Sequence, residues 1–235
     1  MTEMKLKILI ASHLNEPLRH ETIKDALTSI KNNTEPPDHV YISCSYKIKP
    51  NIEEWSKILE NIPHTIILQE KRMLQFQHYH YLSKYIEDDD IVCFLDDDDL
   101  YYPDKIKTIK YLFKNYPLNQ SEEPIKFIRH KSRIFIGNDA SKTHDCVLDE
   151  YFTLNIIGRC FKAFFEDNFL DGLEGLEGLE TFEKILIKHQ GTTDILFNLI
   201  FFKDGLEIHD PLILFRKLYG LQKDYGHYES ENVKS

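Results

Sequence analysis

Ile91-Val92-Cys93-Phe94-Leu95 runs without a break into Asp96-Asp97-Asp98-Asp99, and Leu100-Tyr101-Tyr102-Pro103 follows at once. Five apolar residues in a row predict a short buried strand. Pro103 predicts a helix start, because proline suits the first turn, and Ile106, Ile109, Lys110 and Phe113 continue it. Strand, acids, helix: this order sets the frame for the rest of the chain.

Working outward, the same rhythm repeats towards the N-terminus. Lys5 to Ala11 predicts a first strand, and Pro17 with Glu21 to Lys31 a helix carrying Ile23, Ala26, Leu27 and Ile30 on one face. His39 to Ser43 is a second strand, entered from the turn Pro36-Pro37-Asp38. Asn51 three residues before Glu54 has the spacing of a capping box, for a helix running to about Glu60. Thr65 to Leu68 is a third strand, and Arg72 to Ile86 a helix whose buried stripe runs Leu74, His78, Tyr81, Leu82, Tyr85. Strands alternating with helices imply an α/β fold with a mostly parallel central sheet and helices on both faces. Right-handed crossovers then bring the strand ends to one edge, where ligands bind in such folds.

The second half is less regular. Ile125 to His130, Arg133 to Ile136 and Tyr151 to Ile156 predict strands, and Gly158 opens a short helix through Phe165. Gly172 to Glu180 reads GLEGLEGLE, a period too short for a solenoid, taken as a loop entering a helix at Thr181 to Lys188. Thr193 to Phe202 is a further helix, and Asp210-Pro211 a break before Leu212 to Phe215. The expectation is one domain over residues 1–223 and a polar tail over 224–235.

Composition narrows the function. A formal charge of −10 argues against a nucleic-acid binder, which would need a basic face. A phosphate-bearing ligand stays possible where a cation reverses the local field. The four cysteines, at 44, 93, 146 and 160, form no CxxC pair, so no zinc signature or disulfide framework is expected and the compartment reads as reducing. No apolar run reaches the ~18 residues of a membrane span, and the charged start reads as no signal peptide. A cytoplasmic protein is expected.

Four consecutive acids behind a buried strand are costly, since two carboxylates 4 Å apart repel by about 1 kcal/mol in water and about 4 near a protein surface. A divalent cation with a taste for hard oxygen relieves them. Alternation along an extended chain would put Asp96 and Asp98 on one side, sharing Mn²⁺ or Mg²⁺, which would neutralise a leaving diphosphate. The bland alternative is a solvated turn supplying acids to the following helix. Glu87-Asp88-Asp89-Asp90, at the other end of the strand, reads as a solvated loop.

On Ile8-Leu-Ile-Ala-Ser-His-Leu-Asn15 and Phe94-Leu-Asp-Asp-Asp-Asp-Leu-Tyr-Tyr-Pro-Asp-Lys-Ile106, the chain resembles the GT-A (Rossmann-like) glycosyltransferases of the family 2 group. The likeness covers residues 5–115 well and the remainder loosely. It implies transfer of a sugar from a nucleotide-diphosphate sugar, a UDP-sugar foremost, to a carbohydrate or other hydroxyl acceptor with inversion. Residues 1–115 would bind the donor and 116–223 the acceptor. By position, Ala11, Ser12 and Asn15 would lie beside the nucleotide, Asp97 near the ribose or diphosphate, and Asp96 and Asp98 on the metal. Ser43 stands with Cys44 and Ser45 where the family usually has an acid reading the base. Arg72 and Gln75 fall among the donor contacts, Arg72 as a two-oxygen partner of the diphosphate; His78 reads instead as a hydrogen-bonded core histidine. The resemblance places a general base at Asp194, with Glu180, Glu183 and Asp171 as rivals, although Asp194 also fits a plain helix N-terminus. His209 or His227 would complete the metal site.

Two rivals remain open on sequence. A nucleotidyltransferase would show a glycine-rich loop after the first strand, and Ala11 to His20 has no glycine. An aspartate-nucleophile phosphatase would carry its acids after the first strand. A non-catalytic binding protein on the same fold is the other.

Overall fold

A computed structural model describes residues 4–116, 124–136, 143–145, 153–163, 165 and 205–217. The predicted helices at Thr181–Lys188 and Thr193–Phe202, the GLE repeat and the tail lie outside them. The first half follows the expected rhythm: β1 (Leu6–Leu14), α1 (Pro17–Lys31), β2 (His39–Tyr46), α2 (Ile52–Ile58), β3 (His64–Gln69), α3 (Gln75–Ser83), β4 (Ile91–Phe94). After the acids come β5 (Leu100–Tyr101), α4 (Lys105–Asn115), β6 (Phe127–Ile136), β7 (Thr143–Asp145), β8 (Thr153–Ile157), α5 (Gly158–Ala163) and β9 (Gly205–Lys217).

These strands form one nine-stranded sheet in the order β3-β2-β1-β4-β8-β6-β9-β5, with β7 on β6. β3, β2, β1 and β4 pair in parallel. β8 runs antiparallel to both β4 and β6, so β6 and its parallel neighbour β9 point the same way as β4. Six strands thus share one direction, and the sheet is mostly parallel as expected.

Alternation along the strands loads both faces. Leu6, Ile8 and Ile10 of β1 pack with Ile23, Leu27 and Ile30 of α1, Trp55 of α2 and Ile106 of α4. Leu9 and Ala11 turn the other way, onto Tyr79 and Leu82 of α3 and Phe161 of α5. Such two-sided burial is why the central strands read as continuous apolar runs. No described helix is long and apolar enough to cross a membrane.

Several boundaries differ from the sequence reading for identifiable reasons. β1 and β2 end three residues later than expected, because their parallel register continues through Leu14↔Tyr46. α3 starts at Gln75 rather than Arg72, and it buries His78, Tyr79 and Leu82, not Tyr81. Asn51 accepts from the Glu54 amide at 3.4 Å, half of the expected capping box. The two strands expected around Lys131 are one, β6, and β9 continues through Asp210-Pro211. Pro211 cannot donate a ladder hydrogen bond, and the pairing answers with register shifts on either side of Lys131 rather than an end.

Within the Glu87–Asp90 run, Glu87, Asp88 and Asp89 are exposed as expected, and Asp90 is the correction. Asp90 is buried, 2.5 Å from the Lys7 ammonium, and accepts from the Glu87 amide at 2.6 Å. Asp88 pairs with Lys162. Nearby, the Gly158 amide donates to the Asp90 carbonyl at 2.8 Å. A Cβ at Gly158 would lie 1.9 Å from the Glu87 carbonyl oxygen, so only glycine closes this junction.

Candidate functional site

The order β2-β1-β4 places the site. The chain leaves β1 for β2 on one side and arrives at β4 on the other, so helices α1 and α3 diverge to opposite faces and open a crevice at the carboxyl ends of β1 and β4. That switch point is where open α/β sheets bind ligands. Asp96–Asp99 and the end of β1 meet there.

The acids do not extend β4. The Asp99 amide donates to the Asp96 carbonyl at 3.2 Å, closing a turn that feeds β5. The strand alternation expected for Asp96 and Asp98 is therefore replaced by turn geometry, because the chain must reverse to pair β5 with β9. The turn still divides the acids: Asp97 and Asp99 are 3% and 4% exposed, while Asp96 and Asp98 are half-buried. The Gln75 amide donates to Asp96 Oδ1 at 2.7 Å from the first residue of α3. Arg19 Nη1 sits 2.6 Å from Asp97 Oδ1, and the Ser12 hydroxyl donates to Asp97 Oδ2 at 2.5 Å. Beyond the turn, the Tyr101 hydroxyl donates to the Phe94 carbonyl at 2.8 Å and its amide to Ser29 Oγ at 3.0 Å. Lys105 opens α4 fully buried, 2.9 Å from His130 Nε2, over the Tyr101 ring. Burial pulls its ammonium down to about 8, against the opposing pull of Cys93 and Asp99.

A second polar group lies at the ends of β1 and β2. His78 Nδ1 is 2.7 Å from Ser43 Oγ and its Nε2 3.2 Å from Ser45 Oγ, which is 2.8 Å from His13 Nδ1. His78 is the core histidine expected, and burial takes it down to about 4, aided by His13. Burial, then the positive charges of Arg72, Lys47 and Arg19, also lowers His13, against the opposing pull of Asp97. Among the described residues, His13 Nε2 and Asn15 Oδ1 are buried without a hydrogen-bond partner.

His78 has a measurable consequence. Its folded value lies below the unfolded 6.5, so its contribution is complete above pH 6.5 and is lost as pH falls towards about 4. Unfolding free energy should drop by about 3 kcal/mol over that window from this group. Chemical denaturation of His78→Asn against wild type tests it: the slope against pH should flatten by about one proton, and an unchanged slope would refute it.

The structure brings most of the expected residues to one crevice, in unequal positions. Asn15, Gln75, Asp96 and Asp98 are half-buried at the rim and Arg72 is exposed. Ala11, Ser12, Ser43 and Asp97 are buried, Ser43 fully. The Ser12 hydroxyl bonds to Asp97, Asp97 also meets Arg19, and Ser43 bonds to His78, so each of these side chains already has a partner within the protein. Asp194, Glu180, Glu183, Asp171 and His227 lie outside the described residues; His209 falls within β9. Sequence reasoning missed Arg19, though the signal was present: it sits four residues before Ile23 on the apolar stripe of α1. An arginine there predicts a buried carboxylate partner.

Two rim carboxylates fit a divalent ion that binds through one or two carboxylates and completes its shell with phosphate oxygens and water. Among the described residues no group of three or more His, Cys, Asp or Glu could hold an ion alone.

No family model and no curated protein matches the sequence. Solved structures do match in shape. S. aureus TarS 1–349 in complex with UDP-GlcNAc aligns at TM-score 0.60 and 12% identity, over 91% of this chain and 59% of that one. The same protein in complex with UDP aligns at 0.60 and 11%, over 91% and 61%. The fold is that of the GT-A glycosyltransferases. The mannosyltransferase PcManGT from Pyrobaculum calidifontis, in complex with GDP-Man and Mn²⁺, aligns at 0.50 and 14%, over 92% of this chain and 57% of that one. This chain spans about three fifths of the length of these solved chains. The expected mostly parallel sheet is thereby accounted for.

Proposed function

We propose that this protein is a glycosyltransferase that binds a nucleotide-diphosphate sugar, a UDP-sugar foremost, with Mn²⁺ or Mg²⁺ and transfers the sugar to an acceptor hydroxyl with inversion. One observation carries the reading: a turn of four acids, two of them at the rim, occupies the switch-point crevice of a GT-A sheet. Complexes of similarly folded proteins with UDP-GlcNAc and GDP-Man support it. The unpartnered His13 Nε2 and Asn15 Oδ1 add support, since unmet buried polar atoms at a crevice await a partner.

In this reading Asp96 and Asp98 hold the divalent ion, which when bound supplies positive charge to the leaving diphosphate. Gln75 fixes the Asp96 carboxylate. The backbone of Ala11 and Ser12 and the Asn15 side chain flank the nucleotide, and Arg72 meets the diphosphate with two donors. Asp194 takes the proton of the acceptor hydroxyl as its oxygen bonds to the anomeric carbon; the bond from that carbon to the diphosphate breaks and UDP leaves. Donor binding belongs to residues 1–115 and acceptor binding to 116–223, in a cytoplasmic enzyme.

Titration calorimetry tests the donor half directly. UDP should give saturable heat with Mn²⁺ and at least about tenfold weaker binding without it, as expected where the ion supplies much of the contact with phosphate. No heat from UDP or GDP in either condition would refute the proposal.

A further inference from the structure

Four acids in succession cannot all serve one ion, and the structure shows how they are divided. Asp97 is 3% exposed, with one oxygen 2.6 Å from the Arg19 guanidinium and the other 2.5 Å from the Ser12 hydroxyl. Arg19 and Ser12 are themselves 4% and 3% exposed and come from α1 and β1, 78 and 85 positions away in sequence. A charge so far from water is tolerated only when paired and hydrogen-bonded. Asp99, also buried, acts on the buried Lys105 ammonium of α4. The inward Asp97 is thus answered by a cation of α1, on the face of the sheet that α4 also covers.

We propose that Arg19 and Ser12 are positioning residues that draw Asp97 into the core and so fix the turn with Asp96 and Asp98 presented together to a divalent cation. The inference rests on the metal reading above and deepens it. The guanidinium fork and the hydroxyl grip both oxygens of one carboxylate, which sets its direction as well as its depth. With the Asp99 amide already tied to the Asp96 carbonyl, Asp97 has one place to go, and its two neighbours are held at the rim. Released, the turn would let Asp97 compete for the ion or let Asp96 and Asp98 part. Asp97 then belongs to the scaffold, not to the ligand shell.

Mn²⁺ binding in the presence of saturating UDP, against a protein-free Mn²⁺–UDP control, tests this, read by the paramagnetic resonance signal of free Mn²⁺ well below the melting temperature, with folding checked by circular dichroism. Ser12→Ala and Arg19→Lys should each weaken Mn²⁺ binding by about tenfold, the usual loss when a residue supporting a metal ligand is removed. A merely structural role would lower the melting temperature and leave the Mn²⁺ affinity of the folded protein alone. A change below about threefold, well short of that usual loss, in Ser12→Ala removes Ser12 from the proposal, and the same result in Arg19→Lys removes Arg19. Should Arg19→Lys not fold, Ser12→Ala, which deletes a single oxygen, decides the matter. Wild-type protein that binds no Mn²⁺ would instead overturn the metal reading itself, a different result from tight wild-type binding matched by both variants.

Discussion

Asp98→Ala is expected to slow turnover of the nucleotide-sugar by on the order of 10³-fold and to abolish the Mn²⁺-dependent part of UDP binding, with little change in stability. A bound ion contributes several kcal/mol to stabilising a leaving diphosphate, and about 4 kcal/mol corresponds to that factor. Stability should hold within about 1 kcal/mol, because Asp98 is half-buried and its loss relieves repulsion within the turn. Asp88→Ala supplies the contrast. That acid sits at the opposite end of β4, paired with Lys162, and its loss should leave nucleotide binding untouched. Wild-type Mn²⁺-dependent binding in Asp98→Ala would sink the assignment.

Asp90→Ala should be the most damaging single change to folding described here, at about 4 kcal/mol, the usual result of stranding one member of a buried ion pair. Lys7 would keep its bond to the Tyr85 carbonyl at 2.8 Å but lose its counter-charge at 10% side-chain exposure. The Glu87 amide would lose its acceptor as well. For a chain of this size the melting temperature should fall by about 8–16 °C. Lys7→Met combined with Asp90→Leu should recover part of the loss, because an apolar pair leaves no stranded charge. A drop of less than about 1 kcal/mol, the scale of a surface pair, would show that water reaches this site.

Both predictions bear on what the sequence could show. β1, β2 and β4 were legible because each is sandwiched between helices, and burial on two faces writes an unbroken apolar run such as Ile91 to Leu95. The acidic turn was legible because it abuts such a run. What escaped were the buried charges held by distant partners. Asp90 reads as loop until Lys7 is placed beside it, 83 positions away, and Arg19 reads as surface until Asp97 meets it. Nothing in the local sequence marks Lys105 as fully buried against His130. Pro211 misled for a local reason: it forbids one donated hydrogen bond, and a bulge absorbs that more cheaply than ending a 13-residue strand.

Cys44 on β2 and Cys93 on β4 flank β1 on one face, with no exposure and their thiols pushed up to about 12 by burial. Almost no thiolate exists there near neutrality, and only thiolate attacks an alkylating reagent. Their modification is thus gated by the parting of strands, and the rate at which these sulfurs become labelled is a clock on how often the middle of the sheet comes open.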